Sequence, residues 1–271
     1  MKKMPLPENE VLFYMKFGEK QWIEPVIDGC LSFSCAEKFI RQAIDSGNTE
    51  QGDKFEGVFA RLRKDDPRIH TMRTKLGKDL EEINDGDFVF LRRESAKLIP
   101  IYCTYALTVG KINQNANVQK AGWHLFEHQP DDRMYGGFSY PAIRNALIIK
   151  KRPSFLMIKT LALKKKIQEV LFRKELLIPN CTIEYIDMTQ EFFIEPTECY
   201  PELFAKSDKY AHQLEYRWGI INKRLSNYSE RYNLGIGNFA DEKEVYMLYS
   251  ENGYIMSFPA EFNNEGKVIR Y

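Results

Sequence analysis

The sequence lacks the features that would place it at once in a common class of protein. Its five cysteines form no Cys-x-x-Cys pair, and no cysteine–histidine spacing is typical of a zinc site. No apolar run approaches the ~18 residues of a membrane-spanning helix, and prolines interrupt the N-terminal stretch MKKMPLPENEVLFYMKF where a signal core would lie. We therefore expect a soluble, cytoplasmic protein with free thiols, no metal ligands and no membrane partner.

The short motifs of several large enzyme classes are missing as well. There is no Gly-rich phosphate loop ending in Gly-Lys-Ser/Thr, and no G-x-G-x-x-G turn follows a strand. The chain also has no H-E-x-x-H pair of zinc ligands and no G-x-S-x-G nucleophile elbow. Any enzymatic function must therefore reside in a less familiar arrangement of side chains.

What is present predicts one α+β domain over residues 1–271, because no repeat or low-complexity linker divides the chain. Mainly antiparallel sheets with flanking helices are expected. The predicted strands are VLFYMK (11–16), CLSFSC (30–35), DFVFLRR (87–93), IPIYCTYAL (99–107), IRNALIIKK (143–151) and CTIEYIDM (181–188), with a closing hairpin from EVYMLYS (244–250) and GYIMSF (253–258). The predicted helices are 19–28, 36–47 and 155–176, the last capped by Ser154, while 51–63 is predicted as a loop entering a short helix and 113–135 as a long loop.

The stretch DKYAHQLEYRWGII, residues 208–221, carries the most informative pattern. As a strand it places alternate side chains on opposite faces. One face holds His212, Leu214, Tyr216 and Trp218, and the other holds Gln213, Glu215 and Arg217. Two interpretations remain open: a solvated polar face on which Glu215 pairs with a cross-strand lysine, or a catalytic carboxylate that points into a cleft.

Two further features can be set beside this strand. Ser32-x-Ser34 lies in the short second strand just before a helix, and Lys16 ends the aromatic first strand beside Tyr14. Each has a plain structural explanation, since Ser34 can cap the helix and Lys16 can be a solvated strand end. Tyr14 can equally be a ring of the hydrophobic core.

In combination, these elements resemble the ADP-ribosyltransferase superfamily, one branch of which carries a basic residue, a Ser-Thr-Ser and a Glu/Gln-x-Glu on successive strands. The resemblance implies NAD as co-substrate, bound in a cleft between small sheets, and Glu215 as the catalytic residue that stabilises an oxocarbenium-like transition state. It further implies that Gln213 holds the acceptor and that the cofactor is surrounded by Tyr14, Lys16, Ser32, Ser34 and Arg217. The chain departs from the branch in having Lys16 for the usual arginine and Phe33 for the threonine.

A second resemblance, to a group of uncharacterised bacterial and phage proteins, rests on GDKFEG and on the late Glu-x-Arg. It implies that Asp53, Glu56 and the strand ending in Arg217 form one site. Both resemblances imply a toxin or anti-phage defence system, with a cognate antitoxin as a potential partner. Two alternatives stay open: a non-catalytic nucleotide- or partner-binding module, and a metal-dependent nuclease with Asp53, Glu56 and Glu215 as ligands.

The net charge of +1 gives the chain as a whole no bias toward nucleic acid. One local concentration of basic residues comprises Lys150, Lys151, Arg152, Lys159, Lys164, Lys165, Lys166, Arg173 and Lys174. It is either a solvated helix face or a surface for an RNA or DNA backbone, which would make nucleic acid the acceptor.

Overall fold

The computed structural model describes residues 6–18, 20–45, 47, 52–110, 126–127, 154–239, 245–249, 255–256, 261–262 and 268–270. The α-helices are α1 (Lys20–Ile27), α2 (Ala36–Asp45), α3 (Pro67–Leu76), α4 (Glu94–Lys97) and α5 (Thr160–Lys174), with 3₁₀ helices at Gly77–Asp79, Pro201–Phe204 and Asp208–Gln213.

The strands are β1 (Val11–Gly18), β2 (Cys30–Phe33), β3 (Val58–Arg63), β4 (Leu80–Asp85), β5 (Phe88–Arg93), β6 (Ile101–Thr108), β7 (Phe126–Glu127), β8 (Ser154–Lys159), β9 (Asn180–Thr182), β10 (Glu184–Ile186), β11 (Phe192–Phe193), β12 (Ala205–Ser207), β13 (Glu215–Gly219), β14 (Tyr232–Gly235), β15 (Val245–Tyr249), β16 (Ile255–Met256), β17 (Glu261–Phe262) and β18 (Val268–Arg270).

Two antiparallel sheets dominate the architecture. The larger sheet has the strand order β15-β8-β1-β6-β13-β9, and the smaller has the order β11-β3-β5-β4. Short pairings add β14 to β2 antiparallel and β12 to β10 in parallel. The predicted α+β class with mainly antiparallel sheets and flanking helices is therefore confirmed. No helix within the described ranges is both long and apolar enough to span a membrane.

The aromatic face of β13 packs into the main hydrophobic core, as the alternation in the sequence predicts. The rings of Tyr14, Tyr216 and Trp218 lie with centroids 4.7–4.8 Å apart in tilted and edge-on contacts. Apolar side chains of α1 and α5, among them Ile23 and Leu163, belong to the same cluster. This packing fixes the strand and therefore the direction of its other face.

That other face is buried too, so the interpretation of a solvated polar face is wrong. All five residues of β13 are buried, with Glu215 7% exposed and Arg217 0% exposed. The parallel pair β10–β12 and the turn before β3 bring polar partners to this side of the sheet. A period-2 pattern cannot distinguish a wet polar face from a buried one whose charges find partners.

Three secondary-structure predictions outside the 208–221 stretch are wrong. Residues 58–63 form β3 rather than a helix, because they are held between β5 and β11 in the smaller sheet. Ser154 does not cap a helix but starts β8, which pairs with both β1 and β15, and α5 begins at Thr160. The predicted closing hairpin is absent among the described strands: β15 pairs with β8, and β16 pairs with β7. The predicted strand 143–151 and the long loop 113–135, except β7, lie outside the described residues.

Candidate functional site

Arg217 lies at the centre of a group of polar side chains that are buried, apart from the half-buried Gln213. We call this group, consisting of Glu56, Lys206, Gln213, Glu215 and Arg217, the charged cluster. The Nε and Nη2 atoms of Arg217 donate to Oε1 of Glu215 at 2.8 and 2.7 Å. Its Nη1 atom donates to Oε1 of Glu56 at 2.6 Å and also to the carbonyl oxygen of Leu203. A single guanidinium therefore joins β13, the turn before β3 and a 3₁₀ helix.

Lys206 supplies the second cation of the charged cluster. It is 4% exposed and lies on β12. Its Nζ atom donates to Oε2 of Glu215 at 3.1 Å and to Oε1 of Gln213 at 2.8 Å. The ammonium also lies 4.8 Å from the centroid of the Tyr210 ring. Both oxygens of the Glu215 carboxylate are thus held by basic side chains.

The turn Gly52–Gly57 brings two more acids to the site. Asp53 and Glu56 are both fully buried. Oδ1 of Asp53 accepts from the Phe55 amide at 3.0 Å, and Gly57 closes the turn with a φ of 74° that suits glycine. Within the described part of the chain, Oδ2 of Asp53 and Oε2 of Glu56 have no hydrogen-bond donor. Buried acceptors of this kind mark a place where a ligand or water could bind.

The two glutamates of the charged cluster have opposite protonation tendencies. Burial alone would raise the pKa of Glu215, but Arg217, Lys206 and the Cys103 thiol outweigh it and hold that pKa below the usual range. Burial raises the pKa of Glu56, and the single bond from Arg217 together with Lys206 does not compensate. Pairs of carboxyl groups driven apart in this way are typical of acid–base chemistry. The Cys103 thiol itself has its pKa raised to about 12 by burial and by Glu215, so it stays protonated.

Gln213 belongs to the charged cluster, but its contact there differs from the one that the sequence predicts. The prediction that Gln213 and Glu215 share one face of a strand is wrong, because Asp208–Gln213 is a 3₁₀ helix and Leu214 adopts a left-handed φ of 40°. Gln213 instead contacts Glu215 indirectly, through Lys206.

The other residues that the resemblance implies lie at different positions relative to the charged cluster. Tyr14 is 1% exposed on the aromatic face, away from Glu215, and Ser32 is exposed and pairs with Asn233 of β14. Lys16 is nearer: its Nζ atom donates to the Cys103 carbonyl at 2.8 Å. Ser34 is 5% exposed and forms a bridge with Ile101, so it shares the face of β6 that carries Cys103. Ser34 therefore shares the sheet face of the charged cluster. Lys16 lies on the same face of β1 as Tyr14, with its Nζ atom 4.8 Å from the Tyr102 ring centroid, and Ser32 is exposed.

Lys206, Cys103 and Tyr185 are the members of the site that sequence patterns miss. Tyr185 accepts the Glu215 amide hydrogen bond on its hydroxyl at 2.8 Å. Lys206 lies on a three-residue strand, which is too short for any periodicity to reveal. Its only local signal is a lone cation in the otherwise uncharged run LFAKS.

The donor groups of the site do not favour a bound metal. Arg217 lies between Glu56 and Glu215, where a cation would bind both, and Lys206 occupies the other oxygen of Glu215. Across the described residues, no three or more His, Cys, Asp or Glu side chains are arranged to hold a metal ion. The geometry instead suits a ligand with hydroxyl groups, because a hydroxyl can donate to an ionised carboxyl oxygen such as Oδ2 of Asp53 and can accept from a protonated one such as Oε2 of Glu56.

Comparison with known proteins assigns no relative to this chain. No protein-family model, no curated protein and no solved structure matches it. The chemistry of the site is therefore the basis for a functional proposal.

Proposed function

We propose that the protein is an NAD-dependent ADP-ribosyltransferase whose reaction centre is the charged cluster. The observation that carries the proposal is the geometry of the two buried glutamates around Arg217: both oxygens of Glu215 are held by cations, whereas Oε2 of Glu56 has no hydrogen-bond partner among the described residues. An ionised carboxylate in a closed site is suited to stabilise positive charge that develops on a sugar carbon.

Glu215 performs that stabilisation in the proposed reaction. The bond from the ribose carbon to nicotinamide breaks, and nicotinamide leaves as a neutral molecule with the bonding electron pair. The acceptor then bonds to the same carbon and loses a proton. Arg217 orients the Glu215 carboxylate through two hydrogen bonds, and Glu56 offers its free Oε2 to a ribose hydroxyl.

A positively charged flank beside the cluster suits the diphosphate of NAD. Ser34 has a buried hydroxyl without a hydrogen-bond partner and immediately precedes Cys35 and the N-terminus of α2. Burial lowers the pKa of Lys16, and the positive charge of Arg231 acts in the same direction. Cys103 and Glu215 raise this pKa but do not outweigh the effect of burial. Burial likewise lowers the pKa of Lys38, and Arg231 and Lys16 contribute to that shift. An anion would relieve the mutual repulsion of these cations.

Access to Glu215 is controlled by Lys206 in this proposal. Glu215 is 7% exposed, so the substrate reaches it when the Lys206–Gln213 contact opens. The proposed setting is a bacterial or phage toxin or defence system in the cytoplasm, with an antitoxin as partner. RNA or DNA is the proposed acceptor because Lys165, Arg173 and Lys174 are exposed on α5.

The test is incubation of the purified protein with labelled NAD and cell extract, followed by separation of RNA, DNA and protein. We expect nicotinamide release and label transfer, both lost in Glu215→Gln. Glu202→Gln is the matched control, because Glu202 is also a buried glutamate held by one arginine. The absence of nicotinamide release and of any thermal shift with NAD would overturn the proposal.

A non-catalytic binding module is the second candidate, and the full engagement of Glu215 favours it. Both carboxylate oxygens are hydrogen-bonded in the closed cluster, as in a purely structural ion pair. In that case wild-type protein binds NAD or another nucleotide without turnover, and a folded Glu215→Gln variant keeps the biological effect. The transferase proposal predicts that the effect is lost.

A further inference from the structure

A groove of about 260 Å³ lies between α2, β4, β5 and the turn that carries Lys54 and Phe55. Its apolar lining consists of Ile40, Ile44, Ile83 and Phe55. Phe55 is held in place by stacking on Phe90 at a centroid distance of 4.1 Å. The volume is near the lower end of pockets for small organic ligands, so it suits one flat ring rather than a dinucleotide.

Arg92 lies in this groove with an unsatisfied donor. Its side chain is 2% exposed, and its Nη2 atom donates to the Lys54 carbonyl at 2.6 Å. Its Nη1 atom lies 3.4 Å from Oε2 of Glu81. The remaining donor, Nε, is buried and has no acceptor within the described residues. A buried N–H without an acceptor is costly, and a charged acceptor would recover that cost.

The charges around Arg92 leave room for one negative group. The groove is lined by four basic residues (Arg41, Lys54, Arg92 and Lys97) and three acidic residues (Glu37, Glu81 and Asp85). Oε1 of Glu37 pairs with Arg41 at 2.8 Å, and Oε2 of Glu81 lies 3.0 Å from Nζ of Lys97, which Glu94 shares at the same distance; Oε2 of Glu37 is buried without a donor among the described residues. The Lys54 ammonium is exposed and lies 4.5 Å from the Phe55 ring centroid. A singly charged anion would balance the groove.

We propose that this groove binds a small organic monoanion, a flat ring that carries one carboxylate or similar oxyanion. The oxyanion accepts from Nε of Arg92 and attracts Lys54, and the ring packs against Ile40, Ile83 and Phe55. The site does not rest on the proposed transferase function, because no member of the charged cluster lines the groove. The groove and the charged cluster do share the Gly52–Gly57 turn. A ligand bound in the groove would therefore stabilise the turn that holds Asp53 and Glu56.

The test uses benzoate as the probe and neutral benzamide as its matched uncharged analogue, titrated into the ¹⁵N-labelled full chain. We expect saturable benzoate shifts at Asn84 and at the Arg92 Nε–H, with benzamide at least about tenfold weaker, as expected for loss of a charged hydrogen bond. Ile44→Trp should block the groove and weaken benzoate by a similar factor. Ile44 is 62% exposed, so this change leaves the core intact.

Two controls separate this site from the rest of the molecule. Leu161→Trp adds the same ring at a 72% exposed position on α5 and should leave benzoate affinity unchanged. Glu56→Gln should also retain it, whatever happens to activity with NAD. Equal affinity for benzamide, benzoate shifts that do not saturate, or undiminished binding by Ile44→Trp would each overturn the proposal.

Discussion

Two of the buried arginines, Arg93 and Arg217, hold buried glutamates through hydrogen bonds, and they do so in different ways. Arg93 and Glu202 form one closed pair, with Nε to Oε1 at 2.6 Å and Nη2 to Oε2 at 2.8 Å. Both carboxylate oxygens of Glu202 are used, and Nη1 of Arg93 donates to the Thr197 carbonyl at 2.8 Å. Arg217 divides its donors between Glu215, Glu56 and a backbone carbonyl, and it leaves Oε2 of Glu56 without a donor.

The difference teaches which buried charges are structural and which are candidates for chemistry. A fork-to-fork pair with every atom satisfied tethers the 3₁₀ helix Pro201–Phe204 to β5 and has no capacity left for a ligand. The Arg217 guanidinium holds Glu215 by two hydrogen bonds and Glu56 by one, so Oε2 of Glu56 is left to bind a ligand. The asymmetry shifts the two pKa values in opposite directions, down for Glu215 and up for Glu56.

Replacing either arginine, in two separate variants, should give the largest losses of unfolding free energy. Arg93→Met leaves one buried carboxylate without its cation, which typically costs about 3–5 kcal/mol. Arg217→Met withdraws the cation from both Glu215 and Glu56, so we expect a greater loss of unfolding free energy. Urea denaturation of both variants at neutral pH makes the comparison. A smaller loss for Arg217→Met than for Arg93→Met would contradict the account.

Amide substitution of the glutamates should separate the two sites more sharply. Glu202→Gln removes charge from a satisfied pair and should cost about 1.5–3 kcal/mol of unfolding free energy. Glu56→Gln resembles the neutral acid that burial already favours, so its cost should stay below about 1 kcal/mol. The two variants are compared by chemical denaturation near neutral pH. Equal costs would remove the distinction between the two arginines.

The pH dependence of stability should run in opposite directions for Glu56 and Glu215. The folded-state pKa of Glu56 is raised, so above the ordinary glutamate pKa the unfolded chain releases its proton first and stability falls as pH rises toward the raised value. The folded-state pKa of Glu215 is lowered, so stability is lost as pH falls from the ordinary range toward that lower value. Thermal denaturation across pH should show that Glu56→Gln removes the first slope and Glu215→Gln removes the second. The same profile in both variants would argue against opposite shifts.

Gln213→Ala should have a small effect on stability. It removes one hydrogen-bond acceptor of Lys206 but leaves the Lys206–Glu215 contact intact, so the expected cost is about 0.5–1.5 kcal/mol. If Lys206 controls access to Glu215, this variant should also lower the KM for NAD. A raised KM with unchanged stability would place Gln213 in direct contact with the substrate instead.

The sequence predicts the scaffold of the site better than its contacts. Period-2 alternation predicts the aromatic face of β13, because Tyr216 and Trp218 are held by packing that any half-buried strand requires. It does not show that the opposite face is buried, since burial there depends on β12 and the Gly52–Gly57 turn, which are not part of the strand. Lys206 lies nine residues from Glu215, and Glu56 lies 161 residues from Arg217. No local pattern reports contacts made across such separations.

Local conformation also limited the prediction at Gln213. The left-handed φ of Leu214 ends the 3₁₀ helix and starts β13 only at Glu215, which breaks the expected alternation. Leucine rarely adopts such a φ, so nothing in the residue types signals the break. Gln213 joins the site through Lys206 instead of through the strand.

The most direct test of the account is the protonation state of the two glutamates. Carbon-13 NMR of side-chain carboxyls in the full chain, with Glu56→Gln and Glu215→Gln used for assignment, follows each group through a pH titration. We predict that the Glu56 signal keeps the position of a neutral acid above the ordinary glutamate range, while the Glu215 signal keeps that of a carboxylate below it. If both signals titrate together in the ordinary range, the two glutamates do not differ in their protonation, and the basis for the proposed chemistry is lost.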